Sequence, residues 1–240
     1  MNEGIFFTVF YQPIYNLNVF LIDLLPLGNV ALAVILTTVL VKLLLFPLTK
    51  KALLTQIKMR GIEPKMEEIR KKFKDDRQAL GKATLDLYKE AKVNPFASIL
   101  VLVIQIPVVI ALYWIFYKGG LPSIKPEILY SFVGSPEFVS MKFFIFDMAQ
   151  KSWILAILAG VTQYIQAILS FPATPAKKDG EKTSFKDDFA RNMQFQMKYF
   201  FPILIVIISH SLSSAVALYF VVSNIFTIGQ ELALKRHRTV

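Results

Sequence analysis

The chain has 240 residues, no cysteine and two histidines; 55% of it is hydrophobic, yet 27 Lys+Arg against 17 Asp+Glu give a formal net charge of +10. A chain so apolar and so basic must keep the two properties apart in space, which points to a polytopic membrane protein with basic connections and away from a soluble globular domain. Lack of cysteine excludes disulfides, thiolate metal sites and thiol nucleophiles; His210 and His237 are too far apart for a metal helix, and no phosphate-binding glycine loop is present.

Residues 1–27 are rich in aromatics, broken by Pro13 and Pro26 and interrupted by Gln12, Asn16, Asn18 and Asp23. They have no basic n-region, so a helix at the membrane interface is expected there rather than a signal peptide. Residues 28–48 supply the roughly 20 apolar residues that a transmembrane helix needs, with one charge, Lys42. Residues 50–93 carry thirteen Lys and Arg against seven acids. Ile62, Met66, Ile69 and Phe73, then Leu80, Ala83, Leu87 and Ala91, recur at helical spacing on either side of Lys74-Asp75-Asp76-Arg77. That pattern predicts a cytoplasmic helical hairpin closed along its two stripes. Its basic face is either solvated at the lipid headgroups or a docking surface. Interleaved acids and the lack of an aromatic stacking set argue against DNA.

A second span is expected over 96–117, opened by Asn94-Pro95 as cap and first-turn proline, and a third over 152–171 after a loop at 118–151. A loop at 172–198 follows. The final apolar run, 199–231, would reach about 50 Å as one helix, against a hydrocarbon core of about 30 Å. Its polar middle, Ser209-His210-Ser211 and Ser213-Ser214, predicts two short spans near 199–212 and 215–231, followed by a basic tail at 232–240. The expected fold is therefore all-α: a polytopic membrane helical bundle of five transmembrane helices, plus the hairpin. Of the 27 basic residues, 22 lie in the 50–93 loop, the 172–198 loop and the tail. The positive-inside rule then places the N-terminus outside and the C-terminus in the cytoplasm.

Lys42 is the one basic residue that topology leaves unexplained. An ionisable group inside a span is costly unless it meets water or a partner. No acidic residue falls in the core of another span, so no buried ion pair is expected. Lys42 could snorkel to the nearby interface. Around it, however, the spans offer uncharged polarity: Thr38 on the same face, Gln105 beside Pro107, Gln163 and Gln166 at i, i+3, and Asn224 with Thr227. Singly these serve helix–helix hydrogen bonds. Together with Lys42 they favour a water-filled cavity holding one positive charge.

These segments resemble the YidC/Oxa-type membrane protein insertases over nearly the whole chain. The resemblance rests on FYQPIYNLNVFL, VKLLLFPLTKKAL, EPKMEEIRKKFKDD, LYKEAKVNPFASILVLVIQIPVVIALYW, MQFQMKYFFP and ALYFVVSNIFTI in that order. It implies a non-enzymatic insertase and chaperone in the cell membrane, with five helices around a hydrophilic groove open to the cytoplasm and to lipid and sealed outside. Lys42 would be the groove cation, Thr38 and Gln105 would line the groove, and Tyr219 and Phe220 would touch a departing substrate helix. The implied partners are nascent membrane proteins and lipids, with the ribosome and a Sec-type translocon left open; no cofactor is implied. Lys42 stands where arginine is usual, which keeps the charge but loses the planar fork. Phe220 lacks a hydroxyl common at its position, and without the large outer domain the chain reads as the minimal form.

Two other readings compete. A small transporter or channel also uses a polar intramembrane cavity, but self-similar halves are lacking. An intramembrane protease needs an activated nucleophile, and adjacent Ser209 and His210 point to different faces of one helix.

Overall fold

The computed structural model describes residues 4–73, 76–94, 97–117, 121–170, 192 and 195–236. Among these residues, eight α-helices run in the order α1 (Gln12–Leu24), α2 (Val30–Gly61), α3 (Glu63–Lys72), α4 (Arg77–Glu90), α5 (Ala97–Tyr117), α6 (Trp153–Ser170), α7 (Phe201–Ser211) and α8 (Ser214–Arg236). Single π-helical turns, Phe7–Tyr11 and Gln196–Phe200, lead into α1 and α7. The only strands among the described residues are β1 (Lys142–Phe143) and β2 (Phe146–Asp147), a two-residue-turn hairpin. The protein is an all-α membrane bundle. Among the described residues, three helices, at Val30–Pro47, Trp153–Ser170 and Ser214–Lys235, are long and apolar enough to cross a bilayer, and Gln105–Tyr117 is a shorter apolar stretch.

Helix α8 lies at the centre, packed on α6 and α2, with α5 against α2 and touching α8, and α7 against α6. Small residues make this possible. Gly160 of α6 faces Val206 and the Pro202 carbonyl of α7 so closely that a methyl group there would overlap the valine. Ala215 and Ala217 are fully buried at the start of α8. The outward faces are apolar: Leu43 and Leu44 on α2, Ile106 on α5, Ile157 on α6, and Ile203 and Ile207 on α7 are all exposed. A surface of that kind requires lipid, and the helices meet the accompanying demand that backbone groups be paired internally.

Asn29 caps α2 by accepting from the Leu32 N–H at 3.1 Å. From there α2 runs unbroken through Pro47 to Gly61, about 48 Å at 1.5 Å per residue. Residues 50–61, expected within the hairpin, thus prolong the first apolar helix. The hairpin proper is α3 and α4. They close around Met66, Leu80, Thr84 and Leu87, all buried, and Asp76 caps α4 by accepting from the Gln78 and Ala79 amides. Lys74 and Asp75, Pro95, most of the 172–198 loop and the tail from His237 lie outside the described residues.

The N-terminal helix docks on the bundle instead of lying apart from it. Tyr15, Val19 and Ile22 are fully buried, and Phe6 and Tyr11 set their rings edge-on to Trp114 of α5. Its polar interruptions hold the 121–150 segment in place. Asn16 donates to the Ile128 carbonyl at 3.0 Å and accepts from the Tyr130 amide at 2.6 Å, while the Tyr15 hydroxyl accepts from the Lys125 amide at 2.8 Å. At its other end the segment clasps the start of α8. The Ser214 amide and hydroxyl both donate to the Gln150 carbonyl, and the Ala215 amide donates to that of Met148. Helix N-termini leave such donors unpaired, so this contact satisfies them.

Candidate functional site: an intramembrane lysine between two helices

Lys42 projects from α2 toward α8, where its Nζ donates to the Thr227 hydroxyl at 3.0 Å. The Thr227 hydroxyl donates to the Ser223 carbonyl one turn back, which leaves its oxygen lone pairs to accept from Lys42. Two of the three ammonium donors have no partner among the described residues. No carboxylate takes part. Pro47, lacking an N–H, also frees the Leu43 carbonyl from its helical partner beside Lys42.

The other expected site residues divide into two groups. Thr38 is buried and its hydroxyl donates to the Val34 carbonyl at 2.6 Å, one turn N-terminal to Lys42 on the same helix. Asn224, also buried, is a tie between helices: its amide donates to the Ala159 carbonyl at 3.3 Å and the Thr162 hydroxyl at 3.2 Å, both on α6. Gln105, Gln163 and Gln166 are partly exposed, and among the described residues no hydrogen bond joins them to Lys42. Tyr219 and Phe220 are 2% and 4% exposed, so both lie inside the packed core in this conformation. Ser209 is buried without a hydrogen-bond partner, and His210 stacks on Trp153 with ring centroids 3.6 Å apart. The two residues form no catalytic pair.

A second polar cluster escaped sequence reasoning. At the foot of α8, Glu231 is 1% exposed. It accepts from the Ser170 hydroxyl at 2.7 Å and pairs with Lys235 at 2.8 Å. This pair does not involve Lys42: α8 continues to Arg236, and Lys235, one turn on, neutralises the carboxylate. Lys235 also donates to the Leu169 carbonyl, and Arg60 donates to those of Leu169 and Ile168, both at 2.6 Å. Two cations therefore cap the C-terminus of α6, where unpaired carbonyls and the helix dipole favour positive charge. Nearby, burial pushes the Glu63 carboxyl above the usual carboxylate range, and Arg70, 3.4 Å away, opposes that shift. Burial and Arg60 lower the Lys198 ammonium. The spacing of Glu231 and Lys235 at i, i+4 was the available signal.

A bundle of apolar helices with a lysine held between two of them by a hydroxyl, and a basic hairpin at one end, defines a polytopic membrane protein with a polar interior. The sequence profile of the 60Kd inner membrane protein family matches residues 23–239. The chain belongs to that family, the YidC/Oxa type. It is 34% identical over 212 residues to proteins named membrane protein insertase YidC from Francisella tularensis subsp. novicida strain U112, subsp. tularensis strain WY96-3418 and subsp. holarctica strain FTNF002-00. In each case the match covers 88% of this chain and 33% of the relative. The chain thus spans about a third of the length of these relatives.

Proposed function

We propose that the chain is a non-enzymatic membrane protein insertase and chaperone. It would accept hydrophobic segments of nascent membrane proteins along the polar strip beside Lys42 and release them sideways into lipid. The observation that carries this reading is Lys42 itself, a cation within an apolar helix, anchored by one hydroxyl and leaving two donors for a client. Moving a polar tail across hydrocarbon is costly because its groups lose water. A charged strip partway in shortens the dry path, and a single weak attraction for an acidic tail also lets the tail go. The apolar segment then partitions into lipid through its own hydrophobicity, so no nucleotide is required.

In this reading α5 and α7 complete a set of five spans, with the N-terminus outside, the α3–α4 hairpin in the cytoplasm, and the plasma or inner membrane as the location. Thr38, Gln105, Gln163, Gln166 and Asn224 would line or support the strip. Tyr219 and Phe220, buried at rest, would meet a client only as α8 shifts. Nascent chains are the expected clients; ribosome contact through the tail and work beside a Sec-type translocon extend the same proposal. Lys235, engaged at the foot of α6, contributes little free charge to such a tail contact. Purified protein in liposomes should insert a short single-spanning client with an acidic tail without nucleotide, as read by protease protection. Insertion no better than into empty liposomes would sink the proposal.

A further inference from the structure

The segment between α5 and α6 ends in a feature that backbone propensity does not explain. Strands β1 and β2 are joined by the two-residue turn Phe144-Ile145, with Phe143 opposite Phe146. Two-residue hairpin turns place one or both central residues at positive φ and so favour glycine, asparagine or aspartate. Here Phe144 adopts φ 51°. A bulky side chain in that region is a genuine outlier. The result is a hairpin tip on which Phe144 is 88% and Ile145 82% exposed. Leu27 is a second strained apolar residue, with φ 62° and 79% exposure. Phe138 is also exposed.

These side chains share one scaffold. The Ser140 amide donates to the Gly28 carbonyl at 2.9 Å, and the Val30 amide donates to that of Ser140 at 3.0 Å. The Asn29 side chain donates to the Lys142 carbonyl at 3.0 Å. Gly28, at φ 56°, lies so close under the Phe138 carbonyl that any side chain there would overlap it. Leu27, Phe138 and the hairpin tip are therefore fixed to one another and to the first residues of α2, where the apolar stretch Val30–Pro47 begins.

We propose that this patch is a membrane anchor: Phe144, Ile145, Leu27 and Phe138 insert into the leaflet that α2 enters first. Three observations favour lipid over another occupant. The patch adjoins a helix end that already meets the bilayer. Its residues are apolar without hydrogen-bonding tips, as acyl chains require. The exposed Lys142 at its base offers a long basic side chain of the kind that reaches phosphate headgroups. Strained backbone, which persists where surrounding structure enforces it, is here maintained to display apolar groups. The anchor would pin the 121–150 segment at the interface. It is independent of the insertase reading, since it concerns only how the chain sits in lipid.

The chain has no native cysteine, so a single spin label reports one site. Phe144→Cys, Ile145→Cys and, as a water-facing control, Glu137→Cys are labelled with a nitroxide in the full chain in phosphatidylethanolamine–phosphatidylglycerol vesicles. Accessibility to oxygen is compared with that to a water-soluble nickel chelate. The proposal expects oxygen to dominate at 144 and 145 and nickel to dominate at 137, a reversal of sign in the depth parameter. Nickel dominating at 144 and 145 overturns it in favour of a solvated tip. Low access to both reagents overturns it in favour of protein cover, such as a second copy of the chain.

Discussion

At the scale of single residues, chemistry concentrates on Lys42. Its side chain is held by one neutral hydroxyl, and nothing in the described bundle neutralises it. Retaining the charge should retain function: Lys42→Arg is expected to insert an acidic-tailed client within about threefold of the parent. Lys42→Glu should lower insertion at least tenfold, a difference of about 1.4 kcal/mol or more in the attraction. Equal activity of the two variants, measured on the same client in liposomes, would leave the charge without a role. The pairing with Thr227 was only half legible beforehand. The i, i+3 pair Asn224 and Thr227 marked a polar face of α8, but periodicity cannot say which member meets which neighbour. Asn224 turned to α6 and Thr227 to α2, because the face of α8 that they share packs on both helices. Tyr219 and Phe220 carried the opposite ambiguity: apolar pattern alone does not distinguish a core position from a contact exposed during work.

At the scale of elements, helix approach decides stability, and two glycines make the test. Gly160 faces α7 with no room for a methyl group, whereas Gly229 of α8 has nothing near its would-be Cβ. Gly160→Ala should destabilise by about 1–3 kcal/mol through overpacking. Gly229→Ala should be neutral or stabilise by up to about 1 kcal/mol, because alanine loses less backbone freedom in a helix interior. Opposite shifts in thermal unfolding in detergent are the expected outcome; parallel shifts would count against the α6–α7 contact. Among the elements themselves, what was legible followed from length and period. The long apolar runs gave helices, and the polar run from Ser209 holds the break between α7 and α8. The end of the first span was not legible. Pro47 and the lysines after it look like a boundary, yet a helix can carry proline within it when its remaining bonds and neighbours suffice. The docking of α1 was hidden too, since its polar residues bind backbone groups more than a hundred positions away.

For the whole molecule, the charge asymmetry predicts orientation. The basic residues of α2 beyond Pro47 and of α3 and α4 lie at one end of the bundle, and the 121–150 segment lies at the other. Because no native cysteine competes, Glu68→Cys and Glu137→Cys can be labelled in sealed cells with a membrane-impermeant maleimide. Glu137→Cys should react from outside, and Glu68→Cys only after the membrane is opened. The reverse pattern would invert the topology.

The unbroken course of α2 has a mechanical consequence. About 20 Å of it extends past Pro47 and ends against the foot of α6 through Arg60, while Lys42 sits just on the other side of the proline. A helix transmits torque along its hydrogen-bonded rows, and a proline is where such a rod bends. The point of α2 best suited to bending thus lies next to the cation. A load on α3 and α4 would act on the Arg60 contacts at one end of this helix and on the Lys42–Thr227 contact near its middle. The Arg60 contacts at one end and the position of the charge near the middle are tied by a single piece of backbone.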